Sequence, residues 1–316
     1  MTAAQIEYIV AVDTYRSFAR AAEKCFISQP AMSFQIQKVE KELGVKLFDR
    51  SKQPVMPTEI GKEIIVQARR ALQEHHRISE IVEGKRGVIQ GELRLGVIPT
   101  LAPYLLPIFL LSFLKQYPHI KLTVAELTTV QIITQLRSEL LDCGILATPL
   151  AEGNLTEHPL FYEPFVAYTS PSSPLFNKTI IRPDDMDIHE TWLLSEGHCM
   201  RSQVINLCKE KRQYLDYAEF EYQTGSMETL IKIVEMGKGV TILPELATLD
   251  FSAKQKKLIR RFRQPEPVRE ISLVTHRNFL KQRLVEALKE TVLKSVPKAM
   301  WSKTKKAVVK ITSGSE

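Results

Sequence analysis

The stretch from Ser17 to Gly44 restricts the fold more than any other in the chain. Ser17 can cap a short helix, FARAAEKCF, ending at Cys25 or Phe26. Next comes ISQPAMSFQIQKVEKELG, in which Ser28 is a natural N-cap, Pro30 fits the first turn, and Gly44 supplies the stop. Met32, Ile36, Val39 and Leu43 recur at spacings of 4, 3 and 4, one helix face, and leave Gln29, Ser33 and Gln37 on the other. Two short helices joined by a tight turn, the second presenting small amides and hydroxyls, suit the DNA major groove, where long acidic side chains would repel phosphate. Periodicity alone is also satisfied by a three-helix bundle with a polar face. A further helix face precedes the pair, with Ile6, Ile9, Val10 and Val12 apolar within residues 3 to 14.

At 316 residues the chain exceeds one ordinary core and should divide into two or three modules. Its charge of +7 is uneven: residues 1 to 90 carry +3, residues 297 to 316 carry +4, and the 206 between them balance at 24 of each sign. A neutral body with basic ends suits nucleic-acid binding at the ends. The N-terminus lacks a basic leader and a small-residue cleavage site, and no uncharged run is long enough to span a bilayer, so a cytoplasmic protein without membrane contact is expected. Four cysteines, at 25, 143, 199 and 208, are too few and too unevenly spaced for a secreted disulfide framework.

Thr58 should start a long helix whose Ile64, Ala68, Ala71, His75, Ile78 and Val82 step by 4, 3, 4, 3 and 4, a heptad seam able to pair with a second copy. His75 then reads as a packed interfacial residue or as a pH sensor. From Gly91 strands alternate with helices: ELRLGVIPT, LAPYLLPIFLLSFLKQYP, IKLTVAEL, TTVQIITQLRSELLD and CGILATPL. A second set spans residues 165 to 267, and REISLVTHRN with the helix after it should return to the first set. This is an α/β pattern with a mostly parallel sheet in two lobes, and ligands of such folds bind in the cleft near strand ends. No glycine-rich cofactor loop, nucleophile elbow or His/Cys spacing suited to a metal is present, so neither cofactor nor metal is expected. Cys25 and Cys143 read as small core residues.

GHCMRSQVINLC, residues 197 to 208, holds the other two cysteines nine positions apart. If a helix opens at Ser195 or Gly197, Cys199 lies in its first turn, where free amides and the helix dipole favour a thiolate, with His198 and Arg201 adding to that. Cys208 then lies roughly 13 Å further along the axis, beyond the reach of a disulfide while the helix stands. Bonding would require the segment to unwind; the plainer reading is two buried cysteines on opposite faces.

The run from Ala11 to Gly61 resembles the DNA-binding half of LysR-type transcriptional regulators, meeting SFxxAAxxxxxSQPAxSxQIxxxExxLGxxLFxR nearly completely. The resemblance implies an N-terminal winged helix-turn-helix (1–58), a linker and dimerisation helix (59–90), and a two-lobed periplasmic-binding-protein-like regulatory domain (91–298), with one lobe from 91–164 and 268–298 and the other from 165–267. Residues 299–316 fall beyond it and read as a basic flexible tail. The resemblance places Ser28, Gln29, Pro30, Ser33 and Gln37 at the DNA, and Arg50 and Lys52 in the wing against phosphate; Phe34 stands where many relatives have a basic residue. GHCMRSQVINLC itself is similar to the redox segment of the family's peroxide-sensing members. That similarity implies that Cys199 is oxidised by hydrogen peroxide and resolved by Cys208, in a pocket of Thr100, Thr129, His198, Arg201, Gln203 and Arg269. Thr100 and Thr129 read otherwise as caps of the helices that follow them, and Ser202 departs from the acidic residue often found there. Promoter DNA, a second copy in a dimer or tetramer, RNA polymerase and a reductant such as glutaredoxin or thioredoxin are the implied partners. The alternatives are a regulator of the same family with a small organic effector, and a thiol peroxidase with a DNA-binding appendage.

Overall fold

The computed structural model describes residues 1–84, 89–150, 152–195, 199–208, 225–277, 279 and 281–311, without the side chains at 73, 76, 77 and 79–84. The chain divides into two compact units, Met1–Ile89 with Ser138–Leu140, and Gln90–Arg137 with Leu141–Glu316.

In the first unit, α1 (Ala3–Tyr15) starts from a reciprocal cap: Gln5 N donates to Thr2 Oγ1 and Thr2 N donates to Gln5 Oε1. Helices α2 (Phe18–Lys24) and α3 (Gln29–Leu43) are capped by the hydroxyls of Ser17 and Ser28, and α3 stops at Gly44 in the left-handed region. Ile9, Val12, Met32, Ile36, Val39 and Leu47 are wholly buried between them. The wing is an antiparallel pair, β1 (Phe48–Asp49) and β2 (Met56–Pro57), followed by the long α4 (Glu59–Gly84). Glycine is required at 61, since a Cβ there would lie 2.1 Å from the carbonyl oxygen of Leu47.

Of the seam expected on α4, Ala68 is buried and Ile64 half-buried in the core of their own unit, because the three-helix bundle needs a fourth element against α1. Ala71, His75 and Ile78 face outward, and the side chain of Val82 lies outside the described residues.

The second unit begins β3 (Gly91–Val97), α5 (Ala102–Gln116), β4 (Ile120–Glu126), α6 (Thr129–Arg137) and β5 (Cys143–Thr148). It continues β6 (Leu155–Thr169), β7 (Ile180–Ile181), β8 (Thr191–Trp192), α7 (Cys199–Leu207), α8 (Met227–Glu235), β9 (Val240–Pro244), α9 (Ala253–Lys256) and β10 (Ile259–Phe262). It closes with β11 (Glu266–His276), α10 (Gln282–Ser295) and β12 (Lys306–Val308). β3 lies parallel to β4 and β5, and β8 parallel to β9, as expected within each lobe. The sheet as a whole is mixed rather than mostly parallel. β6 and β11 run between the lobes in opposite directions, so β11 is antiparallel to both β5 and β6, and β6 is antiparallel to β9 and β10. The last long helix does return to the first lobe, where Lys281 Nζ donates to the Glu92 carbonyl (2.7 Å) and pairs with Asp142 (3.0 Å).

The tail, expected to be flexible, contributes a strand to the sheet. β12 adds in parallel to the start of β11, Val309 N donates to Val268 O (2.9 Å), and the Val309 side chain is buried. The AVVKI run supplies β-branched residues that pack on a sheet, a pattern masked by the surrounding lysines.

Glu40 pins the wing to α3. Its carboxylate is buried and accepts from the amides of Leu47 (2.8 Å) and Phe48 (3.4 Å). Glu40→Ala leaves both amides without an acceptor and should lower the unfolding free energy by about 1–3 kcal/mol. Urea unfolding followed by circular dichroism measures this, and an unchanged midpoint would refute it.

Candidate functional site

Two sets of residues carry the chemistry. On the first unit, α3 directs Gln29, Pro30 and Gln37 to the outside, along with Phe34, which is 64% exposed. The Ser28 hydroxyl is committed to its cap, accepting from Ala31 N. Arg50 donates to Ser33 Oγ (2.8 Å), lies 3.5 Å from the Glu40 carboxylate, and stacks over the Phe18 ring with its guanidinium 4.6 Å from the centroid. It therefore ties wing to helix and keeps only part of its five donors for phosphate. Lys52 is exposed and lies 3.8 Å from Asp49. The wing basic groups and the α3 amides thus share one unit and one folded motif.

On the second unit, Cys199 is the first residue of α7 and Cys208 follows directly on its end; both are free thiols. Cys199 faces residues from other elements. The Thr129 hydroxyl, at the start of α6, and the Arg269 guanidinium, on β11, both pull its pKa down, but burial pushes it up more strongly. The thiolate expected from the helix N-terminus is therefore opposed by desolvation, the larger effect. Ser202 Oγ donates to the Cys199 carbonyl (2.9 Å). Cys208 is buried among Val204, Leu207, Met227 and Leu230, and burial lifts its thiol to about 11.

Arg269 is fully buried and organises the region. It donates through Nε to Glu163 Oε2 (2.8 Å), through Nη1 to Thr100 Oγ1 (2.9 Å) and through Nη2 to the Thr100 carbonyl (3.1 Å). Glu163 Oε1 accepts from Leu246 N (2.9 Å). Thr100 accordingly does not cap α5, whose N-cap position is Leu101 with no side-chain cap; its hydroxyl is an acceptor for Arg269. The cap of α6 is likewise Thr128, which exchanges hydrogen bonds with Gln131, and not Thr129. Thr129 Oγ1 is buried with the Cys199 thiol as its neighbour and has no nitrogen or oxygen partner among the described residues.

Gln203 lies one helical turn beyond Cys199, on the same face of α7, and is wholly buried. Its Nε2 donates to the carbonyl of Val309 (3.1 Å), while its Oε1 has no partner among the described residues. Arg201 donates through Nη1 to the Leu194 carbonyl (3.0 Å), bracing the chain ahead of α7. His198 lies outside the described residues.

Two contributors went unnoticed in the sequence. Glu163 sits in FYEPFVAY, and a carboxylate inside so apolar a strand signals a buried cationic partner. The carbonyls of Val309 and Lys310 had no signal, since any residue carries them. Among the described residues no group of His, Cys, Asp and Glu is arranged to hold a metal.

Residues 3–62 match the description "Bacterial regulatory helix-turn-helix protein, lysR family" and residues 86–297 match "LysR substrate binding domain". The chain is 35% identical over 274 residues, 87% of its own length and 89% of the relative's, to the DNA-binding transcriptional dual regulator OxyR of Escherichia coli K12. Its fold superposes on a full-length variant of OxyR from Pseudomonas aeruginosa with a TM-score of 0.80 at 31% identity, covering 94% and 99% of the two chains. A peroxide-bound OxyR variant from Corynebacterium glutamicum superposes with a TM-score of 0.60 at 25% identity, covering 93% and 92%. With both halves matched and the similarity running through almost the whole chain, this protein belongs to the LysR family of helix-turn-helix transcriptional regulators, among the OxyR-type members.

Proposed function

We propose that this OxyR-type regulator senses hydrogen peroxide through Cys199 and records the signal as a reversible Cys199–Cys208 disulfide, activating antioxidant genes. The observation that carries the reading is the setting of the Cys199 thiol, at the start of α7 with the Arg269 guanidinium and the Thr129 hydroxyl beside it and, one helical turn on, a buried Gln203 Oε1 left without a hydrogen-bond partner among the described residues. Buried polar atoms normally find partners, so an open oxygen in a polar setting around a nucleophile suits a small molecule able both to donate and to accept. Hydrogen peroxide is of that kind. Thr100 keeps its own hydroxyl proton while accepting from Arg269, and so can donate to the leaving oxygen.

The Cys199 thiolate attacks one peroxide oxygen and the O–O bond breaks. The sulfur is oxidised to a sulfenic acid, and the departing hydroxide takes up a proton to leave as water. Cys208 then displaces the sulfenic hydroxyl, forming the S–S bond and releasing a second water. Its thiol, held near pKa 11 in the core, is a poor nucleophile while α7 stands. Nine residues of helix also hold the two apart by roughly 13 Å, so the second step requires α7 to open. A dithiol reductant of the glutaredoxin or thioredoxin class reverses the change. Promoter DNA is read by the face of α3 bearing Gln29, Ser33 and Gln37, in a cytoplasmic dimer joined along the outward residues Ala71, His75 and Ile78 of α4. Two such dimers make the tetramer that engages RNA polymerase.

Reduced protein treated with stoichiometric peroxide should lose two protons by intact mass, mapped to a Cys199–Cys208 link and absent in Cys199→Ser. Free thiols after excess peroxide, with unimpaired induction in a Cys199→Ser strain, would instead point to an organic effector. The burial of Cys199 sets the pH dependence. Below the thiol's pKa the reactive thiolate fraction grows about tenfold per pH unit, and a raised pKa extends that growth through the neutral range. Stopped-flow oxidation of Cys208→Ser protein, between pH 6 and 8, should therefore accelerate by about two orders of magnitude. A flat profile would mean that the thiol is already ionised. Footprints of the oxidised and reduced forms on promoter DNA should differ in extent without loss of binding; identical footprints would count against the switch.

A further inference from the structure

The C-terminal segment lies beyond residue 297, where the family match ends, yet it reaches the cysteine helix. On one side, β12 is hydrogen-bonded to β11 over three residue pairs, Glu266 with Lys306 to Val268 with Val308, and Val309 N donates to Val268 O (2.9 Å). The next residue of β11 is Arg269, the cation beside Cys199. On the other side, the carbonyls of Val309 and Lys310 accept from Gln203 Nε2 (3.1 Å) and Asn206 Nδ2 (2.9 Å) of α7. The Val309 side chain packs in the same cluster as Val204, Leu207 and Cys208. The segment therefore grips α7 at two points, both between the cysteines.

We propose that residues 306–310 form a strap that stabilises the helical, dithiol form of α7 and is released when the disulfide closes. The inference rests on the Cys199–Cys208 reading above. Closure must bring the two Cα atoms from roughly 13 Å to within about 7 Å, which requires the intervening residues to leave their helical positions. Gln203 and Asn206 both lie in that stretch, and their spacing matches two successive strap carbonyls only while the helix stands. Once both bonds are lost, what remains is the short pairing with β11, continued by the Val309 amide on the Val268 carbonyl, together with the Lys306 ammonium on the Tyr162 and Ala299 carbonyls and one buried valine. The burial of Gln203 Nε2 makes that bond the costlier of the two to leave unmade. By holding the Gln203 amide nitrogen, the strap also leaves the oxygen, rather than the NH2, without a partner among the described residues.

Hydrogen exchange on the unaltered full-length chain tests the release directly. In the dithiol form the amides of residues 306–309 should be protected, and in protein whose disulfide has been verified by mass they should exchange at least tenfold faster. Equal protection in the two forms, with the disulfide present, overturns the strap while leaving the redox reading intact. If mass shows that no Cys199–Cys208 bond forms at all, the redox reading falls and the strap with it. The stabilising role is tested by Asn206→Ala, a partly exposed position whose loss leaves the core untouched. In glutathione buffers the reaction is protein dithiol plus glutathione disulfide giving protein disulfide plus two glutathione thiols. Loss of one strap bond should move that equilibrium about fivefold toward the protein disulfide. An unmoved equilibrium, or a shift toward the dithiol, overturns it.

Discussion

The regulatory unit depends on one ion pair placed where water cannot reach it. Arg269 and Glu163 are both fully buried, 2.8 Å apart, on the two antiparallel strands that run between the lobes. Such a pair gains its place only with further hydrogen bonds around it, and here Arg269 also serves both oxygens of Thr100, while Glu163 takes the Leu246 amide. Removing either partner would leave an uncompensated buried charge, at a cost of about 3–5 kcal/mol. The pair locks strand crossing, the β3–α5 turn and the second lobe into one register. It also sets a permanent cation beside Cys199, so the electrostatics of the thiol derive from the architecture of the fold.

Around that fixed cation, α7 is the element built to change. It is nine residues long, and its two cysteines occupy different settings, one beside Thr129 and Arg269 and one in the core of its own lobe. Nothing within the helix itself couples them. What holds it is external: Arg201 to the Leu194 carbonyl ahead of it, and the two tail carbonyls along its length. The helix also buries Met200, Val204, Ile205 and Leu207 in the core of the second lobe, so opening it must break apolar packing as well as these hydrogen bonds.

The first unit solves a different problem, fixing a wing of two short strands that could not stand alone. Glu40 and Arg50 do this jointly, the carboxylate taking wing amides and the guanidinium bridging back to Ser33 on α3 and to the Phe18 ring. The polar residues that orient the wing are thus the same ones that border the exposed polar face of α3, and rigidity of the motif and placement of that face follow from one network.

Local structure was largely legible in the sequence. Ser17, Ser28 and Gly44 act through neighbours three or four residues away, so their caps and stops could be read directly, as could the strand–helix alternation and the two cysteines of a helix start and end. Partnership over long separations could not. Thr100 and Thr129 each stand at a helix start, and only tertiary packing turned one toward Arg269, 169 residues away, and left the other facing Cys199. Glu163 passed unnoticed because its partner lies 106 residues away, and the tail looked like a solvated lysine run until the sheet edge beside Val268 gave its valines a place. The sequence by itself determined the helical caps, the lobe pattern and the family motifs, because these are written in contacts between near neighbours. The raised thiol of Cys199, the partners of Arg269 and the hydrogen bonds from α7 to the tail carbonyls were decided by the tertiary structure alone, because burial and long-range hydrogen bonding exist only once distant strands have met.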